Sequence, residues 1–470
     1  MARLIPGPRD AGQNTSSFGF WLFVTLVAFT LLSIPSRIPV LGLLRPTVLM
    51  VLVLMVVVAK DWPRIKPKLL GSQSRILFTL LGYIVVTLPF VEWPGSVLGH
   101  NLQVLINSMG FYFFALIFVD DLRRLKIFLA VFFGSQTFRV LHPLILHITT
   151  GYWGDRTYLG DDYGFLPRLS GGPGDIINSN GLAFIIGMIA PFLYYWAIRQ
   201  AKSRILFIWI PLAGALMYAL TLTLSRSGTV ALLIEAGAIV YMSKYRSVGI
   251  AVGILAIMAA ASTMSPEQLE RYQSLYRSDV RGSDTAHGRM EGIEVDLEVW
   301  AVRPVFGFGL GTSFEARFNL KNAHTMSHNL YTEVLIEMGV FGICILLAYM
   351  IACGLTVRAT MKAVANSLKT GPPLDPLLQW LPRAIFVWML MFLIFSFATY
   401  GVSTYAIYFM GGLAAVTQRL VYQNLGISEP EKKGRRRRAP QPPPAVNPAP
   451  GAGKDSLASP AVPARRNRRS

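Results

Sequence analysis

The sequence predicts an all-α polytopic membrane protein of about 12 transmembrane helices, with a large periplasmic loop between spans 9 and 10. Three observations predict it. Hydrophobic residues fill 53% of the 470 positions and charged residues only 15%, which leaves too little polar surface for a soluble fold of this length. Runs such as Phe18–Ile34, Ile205–Leu224 and Ser247–Met264 carry no charge. Such a run matches the ~20 residues that cross ~30 Å of hydrocarbon as helix. Lipid offers the backbone no hydrogen-bond partners, so each run must close its bonds internally.

The expected spans cover 18–35, 40–59, 74–93, 101–119, 127–149, 181–198, 205–224, 228–243, 247–264, 328–351, 380–399 and 403–418. Basic residues set their orientation. Lys60, Arg64, Lys66, Lys68 and Arg75 follow the second span, and Arg123, Arg124 and Lys126 the fourth. Arg199, Lys202 and Arg204 follow the sixth, Lys244 and Arg246 the eighth, and Arg358, Lys362 and Lys369 the tenth. These loops share a face with both termini, and the positive-inside rule makes that face cytoplasmic. The expected location is therefore the bacterial inner membrane. Residues 1–17 form a cytoplasmic N-terminus, 18–427 the membrane domain, and 150–180 and 265–327 its long periplasmic segments. The first span follows a basic start without a small-residue cleavage site and reads as retained.

The net charge of +19 does not point to nucleic acid, because 12 Lys or Arg lie from Arg419 onward and most others flank apolar spans. The tail 428–470 carries Arg435–Arg438, many prolines and a final Arg-Arg-Asn-Arg-Arg. It has little to bury, reads as disordered, and suits anionic lipid. Cys344 and Cys353 lie in one apolar run and offer neither a disulfide framework nor metal spacing.

Three places on the periplasmic face break the apolar pattern. Arg226, in Ser225-Arg226-Ser227-Gly228, sits in a tight turn between spans and must face water, an anion or lipid phosphate. Arg289 opens a mixed stretch to Trp300, followed by the glycine-rich loop Arg303–Gly311, which lacks the lysine and strand of a phosphate loop. Within that stretch Glu294 and Asp296 resemble a metal-binding acidic pair, but read as exposed surface. His324 and His328 flank the mouth of the tenth span; four apart, they share a face if helical, yet no further ligand accompanies them. Histidine is the side chain suited to take a proton near neutral pH. Inside the membrane, Arg139 and His142 share a face of the fifth span with Ser135, and Glu235 is a candidate partner for Arg139.

In this order, the motifs resemble the bacterial O-antigen ligase and O-antigen polymerase superfamily. Arg168-Leu-Ser-Gly…Asn178-Ser-Asn180-Gly opens the sixth span as that family's Arg/Asn segment does, and Ser225-Arg226-Ser227-Gly228 resembles its Ser-Arg turn. Arg289, Trp300 and Pro304…Gly307-Phe-Gly309-Leu-Gly311 resemble its large periplasmic loop. His328-Asn329, nine residues, Gly339, two residues and Gly342 resemble its histidine signature. The resemblance covers about residues 160–350.

It implies a membrane glycosyltransferase that moves a glycan from a polyprenyl-diphosphate carrier to a glycan, lipid or protein hydroxyl, in lipopolysaccharide or exopolysaccharide biosynthesis. Catalysis then falls to His328, Arg289 and Arg226, and substrate binding to Arg168, Asn180, Asn329 and His324. Diphosphate leaves readily, so charge stabilisation by arginines suffices; no metal, cofactor or nucleic acid is expected, and the transfer inverts. Ligase and polymerase differ only in acceptor, and no motif separates them. The alternative is a twelve-span transporter or flippase of lipid-linked sugars, which expects similar halves and charges at mid-membrane. A non-catalytic scaffold leaves the Arg/His constellation unexplained.

Overall fold

The computed structural model describes residues 15–158, 164–198, 203–243, 284–399 and 401–427, with a few positions between 246 and 258. The N-terminal residues, most of the expected ninth span, residues 265–283 and the tail 428–470 lie outside it, as do some helix-end side chains, those of 284–289 among them. The principal helices are α1 (Ser17–Leu31), α2 (Pro46–Lys60), α3 (Ser72–Thr87), α4 (Leu102–Phe118) and α5 (Leu122–Thr150). After a hairpin of β1 (Gly154–Tyr158) and β2 (Phe165–Leu169) come α6 (Ser179–Phe192), α7 (Ser203–Thr223) and α8 (Arg226–Tyr241). The rest is α9 (Asp284–Val302), α10 (Ser313–Lys321), α11 (Leu330–Thr370), α12 (Pro376–Phe395) and α13 (Tyr405–Leu425).

Among the described residues a helix lies on each expected span other than the ninth, most of which lies outside them. Six stretches among the described residues are long and apolar enough to cross a membrane, while Ser17–Leu31, Pro46–Lys60 and Phe207–Thr223 are apolar but shorter. The outward faces remain apolar: Val56 is 69%, Val86 70% and Phe207 82% exposed. Water would penalise such faces; hydrocarbon does not. The interior is built by α4 and α13 packing on one another, with α11 and α12 against them and α8 against α6 and α12. Phe132 and Phe409 stack there with ring centroids 4.1 Å apart, beside the fully buried Trp388.

The expectation of an all-α chain needs one correction. Residues 150–180 contain the antiparallel hairpin, whose register pairs Asp155 with Arg168. Its Thr, Tyr, Phe and Leu favour an extended backbone. Pro167 is tolerated because a two-stranded ribbon has only edges.

At the start of α5, on the end remote from the hairpin, one carboxylate organises three cations. Asp120 accepts from the Thr15 amide at 2.8 Å, the Thr15 hydroxyl at 2.6 Å, and Lys68. Arg124 and Arg419 stand 3.6 Å from it. The same cations cap the last carbonyls of α4: Arg419 donates to Leu116 and Val119, Lys68 to Ile117, and Arg124 to Phe118. Positive charge at a helix C-terminus is favourable, and the cluster ties the start of α1 to α13.

Near the hairpin end, α11 is broken at Gly339, whose φ is +62°. The loop Arg303–Gly311 docks into the break. The Val340 amide donates to the Pro304 carbonyl, the Phe308 amide to Ile336 and the Gly309 amide to Glu337, each at 2.9 Å. A Cβ on Gly339 would lie 2.2 Å from the Val305 oxygen, and one on Gly307 2.5 Å from the Glu337 carbonyl. Two separated glycine motifs are thus the two sides of one backbone contact.

Two predictions follow from these contacts. Gly339→Ala adds left-handed strain of about 1–2 kcal/mol to that clash, so it should lower the thermal midpoint and open the 303–311 loop to protease. Gly82→Ala, whose Cβ would meet nothing within 4 Å, should do neither. Burial alone would raise the Asp120 pKa, but Lys68 beside it, with the Thr15 bonds, holds it below the usual carboxylate range. A depressed carboxylate stabilises the fold above its unfolded value, ~3.9, and loses that contribution as pH falls through the folded value. The midpoint difference between wild type and Asp120→Asn should therefore be full near neutrality and shrink below about pH 4.

Candidate functional site

The site is assembled at helix starts. Asn178 caps α6, its side chain accepting from the Gly181 amide at 2.8 Å, and Ser225 caps α8, accepting from the Gly228 amide at 3.2 Å. Asn329 caps α11, accepting from the Tyr331 amide at 2.9 Å and the Thr332 amide at 3.4 Å. The short polar side chains of the motifs stop the helices, leaving the residue beside each cap at a positively polarised helix end.

Two of the motifs meet directly. Arg168, on β2 and buried, donates from Nε to the Thr223 carbonyl at 2.8 Å, from Nη1 to Thr157 at 3.2 Å, and from Nη2 to the Asn180 Oδ1 at 2.9 Å. The same Asn180 oxygen accepts from the Ser225 hydroxyl at 2.9 Å. Hairpin, α6 and the α7–α8 turn are thereby one unit. Arg226, the first residue of α8, is only 7% exposed, so it does not snorkel outward to lipid.

The histidine segment is built around Asp296. This residue is 1% exposed, correcting the expectation of surface, whereas Glu294 is exposed. One Asp296 oxygen pairs with Arg317; the other accepts from Ser327 at 2.6 Å and Thr332 at 2.5 Å. Arg317 in turn donates to the Thr325 carbonyl at 2.9 Å and the Gly292 carbonyl at 3.2 Å. A legible signal existed: on a helix Asp296 shares a face with Ile293 and Val299, so it points inward.

Ser327 and Asn329 are buried and bonded on either side of His328, while His328 itself is exposed. It rims a small cleft with Asp296, Arg317, Met326 and Phe397. Residues 322–329 form a loop, so the helical spacing supposed for His324 and His328 does not apply. His324 is exposed and packs edge-on to Phe318, ring centroids 5.1 Å apart. Asn329 spends its side-chain oxygen on the helix cap. Arg289 lies within α9, which packs on α11, but its side chain is outside the described residues.

Inside the bundle, Arg139 does not pair with Glu235. Its Nε and Nη2 grip both oxygens of Asp175 at 2.7 and 2.8 Å. Arg37 stands 3.8 Å from the same carboxylate, and Ser33 donates to it at 3.4 Å. Asp175 belongs to the loop between β2 and α6, which the sequence reading left without a role. Glu235 is 1% exposed, and among the described residues neither of its carboxylate oxygens has a hydrogen-bond partner. Between the starts of α6 and α11 lies a cavity of about 170 Å³, lined by Arg139, Gly181, Phe184, Leu330, Phe392 and Tyr405 among others. Gly181 adjoins Asn180 and Leu330 adjoins Asn329, so the cavity separates the arginine cluster from the histidine segment.

A bundle of apolar helices with an Arg/Asn/Ser cluster and an exposed histidine at helix starts defines a membrane protein with a polar site at one end. Residues 211–347 match the family model described as O-Antigen ligase, which supports the superfamily resemblance drawn from the motifs. That family implies a glycosyl-transfer enzyme with lipid-linked glycan and acceptor partners. The match runs from α7 into α11 and includes Arg226, Arg289, the glycine loop, His328, Gly339 and Gly342; Arg168, Asn180 and Arg139 fall outside it. No curated protein matches the chain.

The Asp296–Arg317 pair yields a stability prediction. Removing one partner of a buried pair costs about 3–5 kcal/mol, because the other charge is left uncompensated. Asp296→Ala should show that loss in thermal or denaturant unfolding of the purified protein. Replacing both, as Asp296→Leu with Arg317→Met, should recover much of it. Equal losses in the single and double variants would refute the pairing.

Proposed function

We propose that this chain transfers a glycan from a polyprenyl-diphosphate carrier to an acceptor hydroxyl at the periplasmic face of the bacterial inner membrane, with both termini cytoplasmic. The observation that carries the reading is the cavity between two helix starts, with the Arg168–Asn180–Ser225 cluster on one side and the His328 segment on the other. The donor is anionic at its leaving group. Arg226 at the start of α8 offers a fixed guanidinium together with a helix dipole of the right sign, and such ends favour phosphate. Arg289, from α9, supplies the second cation. Arg168 and Asn180 hold the α7–α8 turn and border the diphosphate. His324 lies at the far end of the loop, in reach of the glycan, and Asn329 orients His328 by fixing the helix start.

In the reaction, an acceptor oxygen attacks the anomeric carbon opposite the diphosphate. The new carbon–oxygen bond forms as the bond to the diphosphate oxygen breaks, and the electron pair leaves with the diphosphate. The acceptor proton passes to the imidazole of His328, and the charge on the diphosphate is met by Arg226 and Arg289. Attack from the opposite face inverts the centre. This chemistry asks for charge stabilisation and a base, which the residues present provide without a metal.

His328→Ala and Arg226→Ala should insert at normal level and each reduce transfer at least about a hundredfold, the scale lost with an acid–base or charge-stabilising group. The assay is surface glycan in a complemented deletion strain, with lipid-linked intermediates profiled alongside. Accumulated single repeats would identify a polymerase and accumulated full chains a ligase. Wild-type surface glycan in both variants would exclude the transferase reading.

A further inference from the structure

We propose that the cavity between α6, α11, α12 and the start of α13 is a sugar subsite holding one ring of the lipid-linked glycan, read by Tyr405, Thr404, Thr399 and Arg139. The inference rests on the glycosyl-transfer reading and adds where the glycan is recognised. At about 170 Å³ the space equals roughly six waters of liquid volume. That suits one pyranose ring better than a hydrocarbon chain of carrier length.

The lining has the chemistry of a saccharide site. Phe184, Phe392 and Tyr405 give it aromatic walls, on which the C–H face of a sugar packs. Its polar lining includes Tyr405, Arg139, Thr399 and Thr404. The Tyr405 oxygen accepts from Gln136 at 2.8 Å and from Arg139 at 3.4 Å, and no described acceptor takes its own proton. Tyr405 can therefore donate inward. The hydroxyls of Thr399 and Thr404, both on the lining, likewise bond to no described group. Arg139 is held on two nitrogens by Asp175, while Nη1 makes only long contacts, 3.3 Å to Gln136 and 3.4 Å to Tyr405. The carboxylate thus fixes the guanidinium with its third nitrogen turned to the cavity. A few fixed donors in a mostly apolar pocket are the pattern of a specific small-ligand site.

The position fits as well. Gly181 and Leu330 line the cavity and adjoin Asn180 and Asn329. A ring held there lies between the proposed diphosphate cluster and His328.

The test is saturation-transfer NMR on the full-length protein in nanodiscs. The probe is the repeat-unit oligosaccharide released by mild acid from the organism's own surface polysaccharide. Wild type and His328→Ala should both bind it. Tyr405→Phe, which removes one donor from a retained ring, should weaken binding roughly five- to tenfold. Thr404→Trp, at an exposed rim position, should fill the cavity and abolish saturation transfer at an unchanged thermal midpoint. The subsite is overturned if wild type shows no transfer of saturation, or if Tyr405→Phe and Thr404→Trp both bind as wild type does. The two readings separate cleanly. Binding lost in the cavity variants of a protein that transfers no glycan sinks the transferase and keeps the subsite; unaltered binding in both variants of an active enzyme does the reverse.

Discussion

The site depends on a single side-chain oxygen. Asn180 Oδ1 accepts from Arg168 and from Ser225, and so joins a hairpin, the start of α6 and the α7–α8 turn. An amide oxygen with two lone pairs can do this without charge. A carboxylate in its place would neutralise the guanidinium it holds, and the proposed phosphate-binding role needs that positive charge. The turn then presents Arg226 from the first position of α8, where a rigid helix fixes the direction of the backbone. Precision at this end of the molecule comes from the three helix caps, Asn178, Ser225 and Asn329.

Charges within the bundle follow a second constraint. Burying an ion costs several kcal/mol unless it is paired and hydrogen-bonded, and Asp175 and Asp296 each meet that condition with an arginine. The two pairs have different consequences. Asp296 turns its second oxygen to Ser327 and Thr332, so the ion pair holds the strap that carries His328. Asp175 engages two of the three Arg139 nitrogens and leaves the third beside a cavity. Glu235 differs from both, since neither of its oxygens has a hydrogen-bond partner among the described residues.

Much of this was legible from the residues, in proportion to how local each signal is. Apolar runs place helices because lipid forces every backbone bond to be closed within the run, and the motif order placed Arg226 and His328 at helix starts. The hairpin was missed because its strands are five residues each, too short for alternation to stand out beside the long helical runs. Partners distant in sequence were missed for another reason. Arg139 meets Asp175 and not Glu235 because the loop after β2 folds back over the end of α5, and that fold is a property of the whole bundle. Asp296 was misjudged through its neighbours: Glu291, Glu294 and Glu298 are acidic and exposed, and composition hid the inward face that its helical phase assigns.

The family match and the cavity divide the molecule in an instructive way. Residues 211–347 hold Arg226, Arg289 and His328, the groups that the proposed chemistry uses on the bond being broken and the hydroxyl being activated. Arg139, Gly181, Phe392 and Tyr405 lie before or after that segment. A diphosphate leaving group and an attacking hydroxyl are common to every transfer of this class, whereas the sugar differs from one to the next. On the proposed reading, bond breaking and sugar recognition draw on different stretches of the chain, joined where Asn180 and Asn329 begin their helices.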